Sequence, residues 1–304
     1  MFNPPQLIET RVVARLPESF HVHGRTSERY GNRKYYLEGP VLGRDGLLYF
    51  TDVPWGRIFR MTPDGEISLF VEYDGEPNGL KFHRDGRLFV ADNRNGIVVI
   101  DPISRKVEVL VKRVANEGLR GPNDLTFSKS GDLYFTDQGN SDLQRPHGRV
   151  IHVADNGDAR ILVTDIPSPN GLVLSPKEDW LYLAVTRTLT VWRIAMEPSP
   201  GLAPSSPVGT VGVFLQLSGG GGPDGMAVDS AGNVVVAHSN LGSVWIFSPI
   251  GEPLYRIKSE VGHATSNIAY GGPDNKTLYI TESSSGSILA ADLPVAGEKL
   301  FGQL

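Results

Sequence analysis

Apolar residues occur in short runs along the chain, and polar stretches that contain glycine separate the runs. These runs are rich in Leu, Val, Ile, Tyr and Phe, which is typical of short β-strands. They include residues 47–52, 88–92, 133–137, 180–184, 234–237 and 277–281. Asp-Gly pairs such as Asp45-Gly46 and Asp85-Gly86 lie between runs, where hairpin turns need a positive φ. The pattern predicts an all-β fold.

One short phrase recurs ahead of the runs. Pro77-Asn78-Gly79-Leu80 returns with variations at residues 122–125, 169–172 and 223–226, and weaker versions stand near Glu38 and Asn267. We call the central residues of these phrases the anchors: Glu38, Asn78, Asn123, Asn170, Asp224 and Asn267. Successive anchors are 40, 45, 47, 54 and 43 residues apart. This period, with several strands in each repeat, predicts a six-bladed β-propeller with four-stranded blades.

The repeat runs without interruption from Glu38 to about Leu293, so we expect one domain over residues 1–304. Residues 7–16 have strand character outside the repeat, and we expect this N-terminal strand to join the last blade and close the ring. Residues 17–37 contain His21 and His23, a pair that could ligate a metal. We favour the alternative, a solvated loop over one end of the ring. The Pro/Ser-rich residues 197–207 are expected to form a surface loop.

Composition and charge exclude several classes of function. The net charge is -5 and no basic run is present, which argues against nucleic acid as a partner. The absence of cysteine excludes disulfides, thiolate metal sites and a cysteine nucleophile. We find no secretory signal pattern and no apolar stretch of about 20 residues, so we expect a cytoplasmic protein without a membrane partner.

The anchors are expected to converge because each one precedes the innermost strand of its blade. Inner strands line the channel of a propeller, so residues from all six repeats would ring one mouth of it. Glu38, Asn123, Asn170 and Asp224 offer only oxygen ligands, which suits one divalent cation, above all Ca²⁺. The alternative is that Pro-Asn-Gly merely makes turns. Turn geometry does not require Glu at the first anchor. Glu38 and Asp224 replace Asn at the first and fifth anchors while the surrounding repeat continues, and this favours metal binding.

These residues resemble the gluconolactonase family, which includes regucalcin (the senescence marker protein) and is related to the squid-type diisopropyl fluorophosphatase. Glu38, Asn123, Asn170 and Asp224 stand where that family has its metal ligands, and the likeness covers essentially the whole chain. The resemblance implies a six-bladed propeller, a divalent ion that is usually calcium but in some members zinc, manganese or iron, and hydrolysis of sugar lactones or related cyclic esters.

Two positions depart from the family. Regucalcin-like members carry an arginine two residues before the asparagine, where this chain has Gly121, with Arg120 one residue further back. The acid that regucalcin has after that asparagine is not matched in residues 137–141. Both differences favour a different or less polar lactone as the substrate.

Our interpretation gives the catalytic role to Asp224, which would act as the general base for water, or less readily as a nucleophile, while the cation polarises the lactone carbonyl. Predicted substrate contacts are Asn123, Asn78, Arg120, His147 and His238, although for each histidine alone a structural or solvent-exposed role is favoured. Two alternatives remain open at this stage: a phosphotriesterase that uses the same cation, and a propeller that binds a ligand without turnover.

Overall fold

The computed structural model describes residues 3–196 and 211–304. Within them the chain forms six antiparallel sheets arranged as the blades of a propeller, which confirms the predicted fold. The predicted surface loop at 197–207 lies outside the described residues. No helix in the described part of the chain is long and apolar enough to cross a lipid bilayer.

The strands are numbered in chain order. Their bounds are β1 Gln6–Glu9, β2 Arg11–Arg15, β3 Leu37–Leu42, β4 Leu48–Asp52, β5 Arg57–Met61, β6 Ile67–Glu72, β7 Pro77–Phe82, β8 Leu88–Asp92, β9 Gly96–Ile100, β10 Val107–Val111, β11 Arg113–Val114, β12 Glu117–Gly118, β13 Pro122–Phe127, β14 Leu133–Asp137, β15 Gly148–Val153, β16 Ala159–Ile166, β17 Pro169–Leu174, β18 Trp180–Val185, β19 Thr190–Ala195, β20 Val211–Gln216, β21 Gly222–Val228, β22 Val234–Ser239, β23 Ser243–Phe247, β24 Pro253–Lys258, β25 Thr265–Gly271, β26 Thr277–Glu282 and β27 Ser287–Asp292. Short 3₁₀ turns occur at Glu18–Phe20, Val53–Trp55, Thr186–Thr188 and Phe301–Gln303.

Blades one to four are each built from four consecutive strands that pair in chain order, and blades five and six begin in the same way. Blades one to six begin with the inner strands β3, β7, β13, β17, β21 and β25. Strands β11 and β12 form a separate short hairpin between blades two and three. The turn glycines Gly46 and Gly86 have φ of 78° and 93°, as the Asp-Gly pairs predict.

The N-terminal segment closes the ring, as predicted, but it contributes to two blades. Strand β2 pairs antiparallel with β27 and supplies the fourth strand of blade six. Strand β1 pairs parallel with β24 and adds a fifth strand to blade five. Thr10, between these strands, bonds through its N–H and its hydroxyl to the carbonyl of Lys258, at 3.2 Å each. The segment therefore joins blades five and six.

The hydrophobic core lies between neighbouring blades. One cluster combines Val41, Tyr49 and Ile58 of blade one with Leu80 and Val90 of blade two. Middle strands such as β9 are buried along their whole length because both faces of the sheet are covered by other blades. This explains why the sequence shows continuous apolar runs instead of an apolar and polar alternation.

Strand register corrects one of the predicted anchors. Pro122 lies opposite Asp137 in blade three, and Thr265 lies opposite Glu282 in blade six. The residue after each of them is therefore equivalent, which makes Ser266 the counterpart of Asn123. Asn267 stands one position further along the strand. The anchor ring consequently consists of Glu38, Asn78, Asn123, Asn170, Asp224 and Ser266.

The two mouths of the channel are covered by different segments. We call residues 17–36, at the anchor end, the mouth segment; it hydrogen-bonds to blades one, two and three, in agreement with the predicted loop. His21 lies in it, and its Nε2 is 3.1 Å from the carbonyl oxygen of Leu16. Residues 293–304 cover the far ends of the inner strands, where the Glu298 N–H donates to the carbonyl of Val228 and Phe301 packs against Phe127. Access to the anchors is therefore from the side of the mouth segment.

Candidate metal and substrate site

The anchor ring gathers six polar side chains at one mouth of the channel. All six residues are buried, with exposed fractions between 0% for Ser266 and 8% for Asn170. The four predicted metal ligands, Glu38, Asn123, Asn170 and Asp224, belong to this ring. The fold thus brings residues from four separate repeats to the same end of the propeller.

An acid at the end of the second strand holds the backbone that leads into several anchors. Asp52 accepts a hydrogen bond from the N–H of Tyr36 at 2.7 Å, two residues before Glu38. Asp137 accepts from the N–H groups of Arg120 and Gly121, at 2.7 and 2.9 Å, just before Asn123. The sequence analysis assigned no role to these acids. The available signal was the recurring Asp at the end of the runs 47–52, 88–92 and 133–137.

His238 occupies the equivalent position in blade five. It lies opposite Pro223 in the strand pairing, as Asp137 lies opposite Pro122. Its ring is buried, and its Nε2 lies 2.8 Å from the carbonyl oxygen of Gly219, which it bonds as a donor. Burial lowers the pKa of the ring. Nε2 is thus held by the backbone, whereas the buried Nδ1 has no hydrogen-bond partner among the described residues, and the contact between His238 and substrate stays a prediction.

Glu38 and Asp224 form a pair of buried carboxyl groups. Burial raises the pKa of Glu38 to about 7; the N–H of Gly39 acts in the opposite direction, and the charge of Asp124 adds to the rise. Burial also raises the pKa of Asp224 well above its usual range, and the charge of Glu38 raises it further. Neither acid has a Lys, Arg or His partner in a salt bridge within the described residues.

The three asparagines of the ring differ in their partners. Asn170 donates to Thr186 Oγ1 at 3.2 Å, and that hydroxyl donates to the carbonyl of Pro223 at 2.8 Å, next to Asp224. Asn123 donates to Gln138 Oε1 at 3.4 Å. The amide oxygen of Asn78 is buried, and none of the described residues forms a hydrogen bond with it. A buried amide oxygen of this kind is available to a ligand.

A second ring of residues lies immediately below the anchors. It consists of glycine in four blades, but Asp124 and Asn267 take its positions in blades three and six. Asn267 Nδ2 donates to Asp124 Oδ2 at 3.3 Å, and Lys81 Nζ lies 4.0 Å from Asp124 Oδ1. Burial raises the pKa of Asp124, while the charge of Lys81 lowers it. Asp124 is therefore a third buried acid of the channel, one that the sequence analysis did not assign to the site.

Arg120 and His147 lie together on blade three. The guanidinium of Arg120 donates to the carbonyl oxygen of His147 and pairs with Glu117, at 3.0 Å from its Oε2. Gly139 fits between them, since a Cβ on Gly139 would lie 3.1 Å from the Cβ of Arg120 and 3.3 Å from Nε2 of His147. These two predicted substrate residues thus adjoin Gln138, the partner of Asn123, at the rim of the site.

The mouth segment supplies residues that the sequence analysis missed. Tyr30 and Tyr36 lie side by side, with ring centroids 5.3 Å apart. Burial raises the pKa of Tyr36 well above its usual value, and the charges of Asp224 and Glu38 raise it further. Both phenols are therefore electrostatic neighbours of the two acids. Because the mouth segment lies outside the repeat, no spacing rule indicated this proximity.

The donor set fits a hard divalent cation. It offers two carboxylates without a basic partner and several amide oxygens, and the charge of one divalent ion balances that of the two acids. No group of three or more His, Asp or Glu side chains able to hold a metal occurs in residues 3–196 and 211–304. The proposed set contains only two acids, since its other members are amides.

Comparison with known proteins gives consistent matches. A family model described as the SMP-30/Gluconolactonase/LRE-like region matches residues 37–284. A gluconolactonase of Zymomonas mobilis is 32% identical over 275 residues, which cover 82% of this chain and 76% of that protein. Lactonase drp35 of Staphylococcus epidermidis is 30% identical over 229 residues, or 73% of this chain and 69% of that protein. The structure of a calcium-binding protein, regucalcin, from Agrobacterium tumefaciens matches with a TM-score of 0.78 at 19% identity and covers 99% of both chains.

Proposed function

Because the chain belongs to the SMP-30/gluconolactonase/LRE-like family, we propose that it is a metal-dependent lactonase that opens a sugar lactone or a related cyclic ester. Two relatives that are 32% and 30% identical to it over the aligned residues are named for lactone hydrolysis. The observation that carries the proposal is the pairing of Glu38 with Asp224 in a buried ring of oxygen donors, without a basic side chain to neutralise them.

Glu38, Asn123, Asn170 and Asp224 would hold one divalent ion, which we infer to be calcium. The similar structure from A. tumefaciens is described as a calcium-binding protein, and a set of carboxylate and amide oxygens suits Ca²⁺. When bound, such a cation polarises a carbonyl oxygen and stabilises the negative charge that develops on it.

Side chains of the protein supply the general base, the contacts that orient the substrate and the exclusion of water. Asp224 takes a proton from the attacking water, a role open to a carboxylate with an oxygen to spare. Asn123 and Asn78 orient the substrate, since both are buried in the ring and the amide oxygen of Asn78 has no partner in the part of the chain that the structure describes. Tyr30 and Tyr36 exclude water on the side of the mouth segment, and this strengthens the electrostatic interactions inside the site.

The decisive experiment measures hydrolysis of a panel of lactones by the wild type, by Asp224→Asn and by Asp224→Ala, with calcium present. We expect both variants to lose activity and a chelator to abolish wild-type activity reversibly. Retention of full activity by the variants, or after chelation, would reject the proposal. An organophosphate triester in the same panel separates the lactonase from a phosphotriesterase. Calcium-dependent stabilisation without turnover of any ester would instead indicate a propeller that only binds ligands.

A further inference from the structure

The mouth segment carries an excess of positive charge. Arg25, Arg29, Arg33 and Lys34 are exposed, although the chain as a whole has a net charge of -5. None of the four has an Asp or Glu partner in a salt bridge within residues 3–196 and 211–304. Among the described residues, no acid therefore neutralises these four cations by direct contact.

Arg29 is the member of this group that reaches the site. Its Nη2 donates to Gln138 Oε1 at 3.2 Å and lies 3.5 Å from the carbonyl oxygen of Gly139. The same Gln138 oxygen accepts the hydrogen bond from Asn123 at 3.4 Å. One amide oxygen therefore links the guanidinium to a predicted metal ligand. Both acceptors of Arg29 are neutral, and an ionised acceptor would bind it more strongly.

The surroundings of Arg29 also suit an anion. Its guanidinium lies over the ring of Tyr30, with 5.8 Å to the centroid, which limits its orientation. Arg120 and His147 meet at Gly139, the residue whose carbonyl Arg29 approaches. A Cβ at Gly139 would lie 3.3 Å from Nε2 of His147, so a ring nitrogen adjoins the residue that Arg29 approaches.

Charge balance decides what kind of substrate fits this arrangement. One divalent cation would neutralise Glu38 and Asp224, and Arg120 is already paired with Glu117. Arg29 would then remain as an uncompensated charge at the edge of the site. A neutral lactone leaves that charge without a counter-ion, whereas an anionic substituent supplies one.

We propose that the preferred substrate is a lactone that carries an additional anionic group, a carboxylate or a phosphate, and that Arg29 binds this group on the blade-three side of the site. This inference rests on the proposed lactonase activity. It replaces the expectation of a less polar lactone, which relied on Gly121 in place of the family arginine. Arg29 supplies the missing guanidinium from a different part of the chain.

The test compares kcat/KM for three substrates in the presence of calcium: a neutral aldonolactone, an aldarolactone of the same ring that carries a carboxylate, and the corresponding lactone 6-phosphate. We expect one charged lactone to be preferred over the neutral one by about 10- to 100-fold, the range of a hydrogen bond to a charged group. Whichever charged substrate is faster identifies the anion. The preference is expected to fall with ionic strength, since salt screens exposed charges.

Variants test whether Arg29 causes the preference for a charged lactone. Arg29→Gln should reduce the charged-to-neutral ratio of kcat/KM by about tenfold or more, and Arg29→Lys should retain part of it, because Lys keeps the charge but not the fork of donors. Arg25→Gln is the matched control, since Arg25 lies in the same segment but over the ring of Trp55, and it should leave the ratio unchanged. Thermal unfolding of each variant checks that it is folded.

The possible outcomes separate the two proposals. Hydrolysis of the neutral lactone at an equal or higher rate, or an unchanged ratio in Arg29→Gln, overturns the inference and leaves the lactonase intact. Failure to hydrolyse any of the three lactones with calcium present overturns the lactonase, and the inference with it.

Discussion

The side-chain amide of Asn267 donates a hydrogen bond to the carboxylate of Asp124 at 3.3 Å and so joins blade six to blade three, on the opposite side of the ring. Both residues occupy a position that is glycine in the other four blades. The channel is therefore crossed by a polar contact directly beneath the anchor ring.

We expect Asn267→Ala to lower the free energy of unfolding by about 1–3 kcal/mol, because Oδ2 of the buried Asp124 loses its hydrogen-bond donor while Oδ1 keeps the N–H of Leu125. Urea denaturation measures this. A double-mutant cycle with Asp124→Ala should show coupling, so that the double variant loses less stability than the sum of the single changes. Asn156→Ala, on an exposed turn, is the control. Additive losses would show that the two side chains act independently.

Stabilisation by calcium should increase with pH. The pKa of Glu38 is raised from 4.5 to about 7, so the folded protein without a cation binds a proton there more tightly than the unfolded chain does. Its stability accordingly falls as the pH rises through this range. A bound cation replaces the proton, so the calcium-induced rise in melting temperature should grow from about pH 5 to about pH 8.

Differential scanning calorimetry with and without calcium gives this result directly. Glu38→Gln lacks one of the two buried carboxyl groups, so its calcium-induced rise in melting temperature should be smaller than that of the wild type, and the part of the pH dependence that is due to Glu38 should be absent. An equal calcium effect at both ends of the range in the wild type would contradict the assignment of Glu38 as a ligand.

Gly171 should be intolerant of a side chain. A Cβ there would press against the carbonyl oxygen of Asp224 and lie 2.8 Å from the Cα of Gly225, so backbone would have to move. We expect Gly171→Ala to displace Asp224 and reduce kcat by about 10- to 100-fold. Gly212→Ala is the control, because a Cβ at Gly212 meets nothing within 4 Å. Equal activity of the two variants would show that blade four does not set the position of Asp224.

Arg149 is expected to be the costliest arginine to remove. It is 1% exposed and forms a salt bridge with Asp137, which is fully buried and also holds the backbone before Asn123. Arg149→Ala should destabilise the protein by about 3–5 kcal/mol because the buried carboxylate loses its partner. Arg11→Ala breaks an exposed pair with Asp292 and should cost less than about 1 kcal/mol. Denaturant titrations of both variants measure the two losses of unfolding free energy. Equal losses would show that the buried Asp137 does not need Arg149 as a partner.

The repeat made the fold and much of the site predictable. Anchors separated by 40 to 54 residues mark the start of each inner strand, and the geometry of a propeller then brings Glu38, Asn123, Asn170 and Asp224 to one mouth. Asn267 was misplaced by one residue because residue type alone does not reveal strand register. Only the pairing of Thr265 with Glu282 shows that Ser266 is the true equivalent.

Other parts of the site depend on contacts that no period encodes. Arg29 and Tyr30 lie in a segment outside the repeat, and their relation to Gln138 and to the two acids arises only when that segment folds over the ring. His238 shows the same limit, because its position opposite Pro223, equivalent to that of Asp137 opposite Pro122, is fixed by strand register and not by residue type.

Strands β1 and β2 complete blades five and six, and this pairing affects the order in which the protein folds. Arg11 and its partner Asp292 are 281 residues apart, so β2 is synthesised long before the sheet that receives it exists. We therefore expect β2 to dock late in folding, after the strands of blade six have been synthesised. Only then do the contacts of β2 with β27 offset the entropy lost in closing a loop of this length. Until β1 and β2 pair with blades five and six, the incomplete ring has unpaired strand edges. These edges can pair with another chain, and that risk of misassembly ends when the two strands dock.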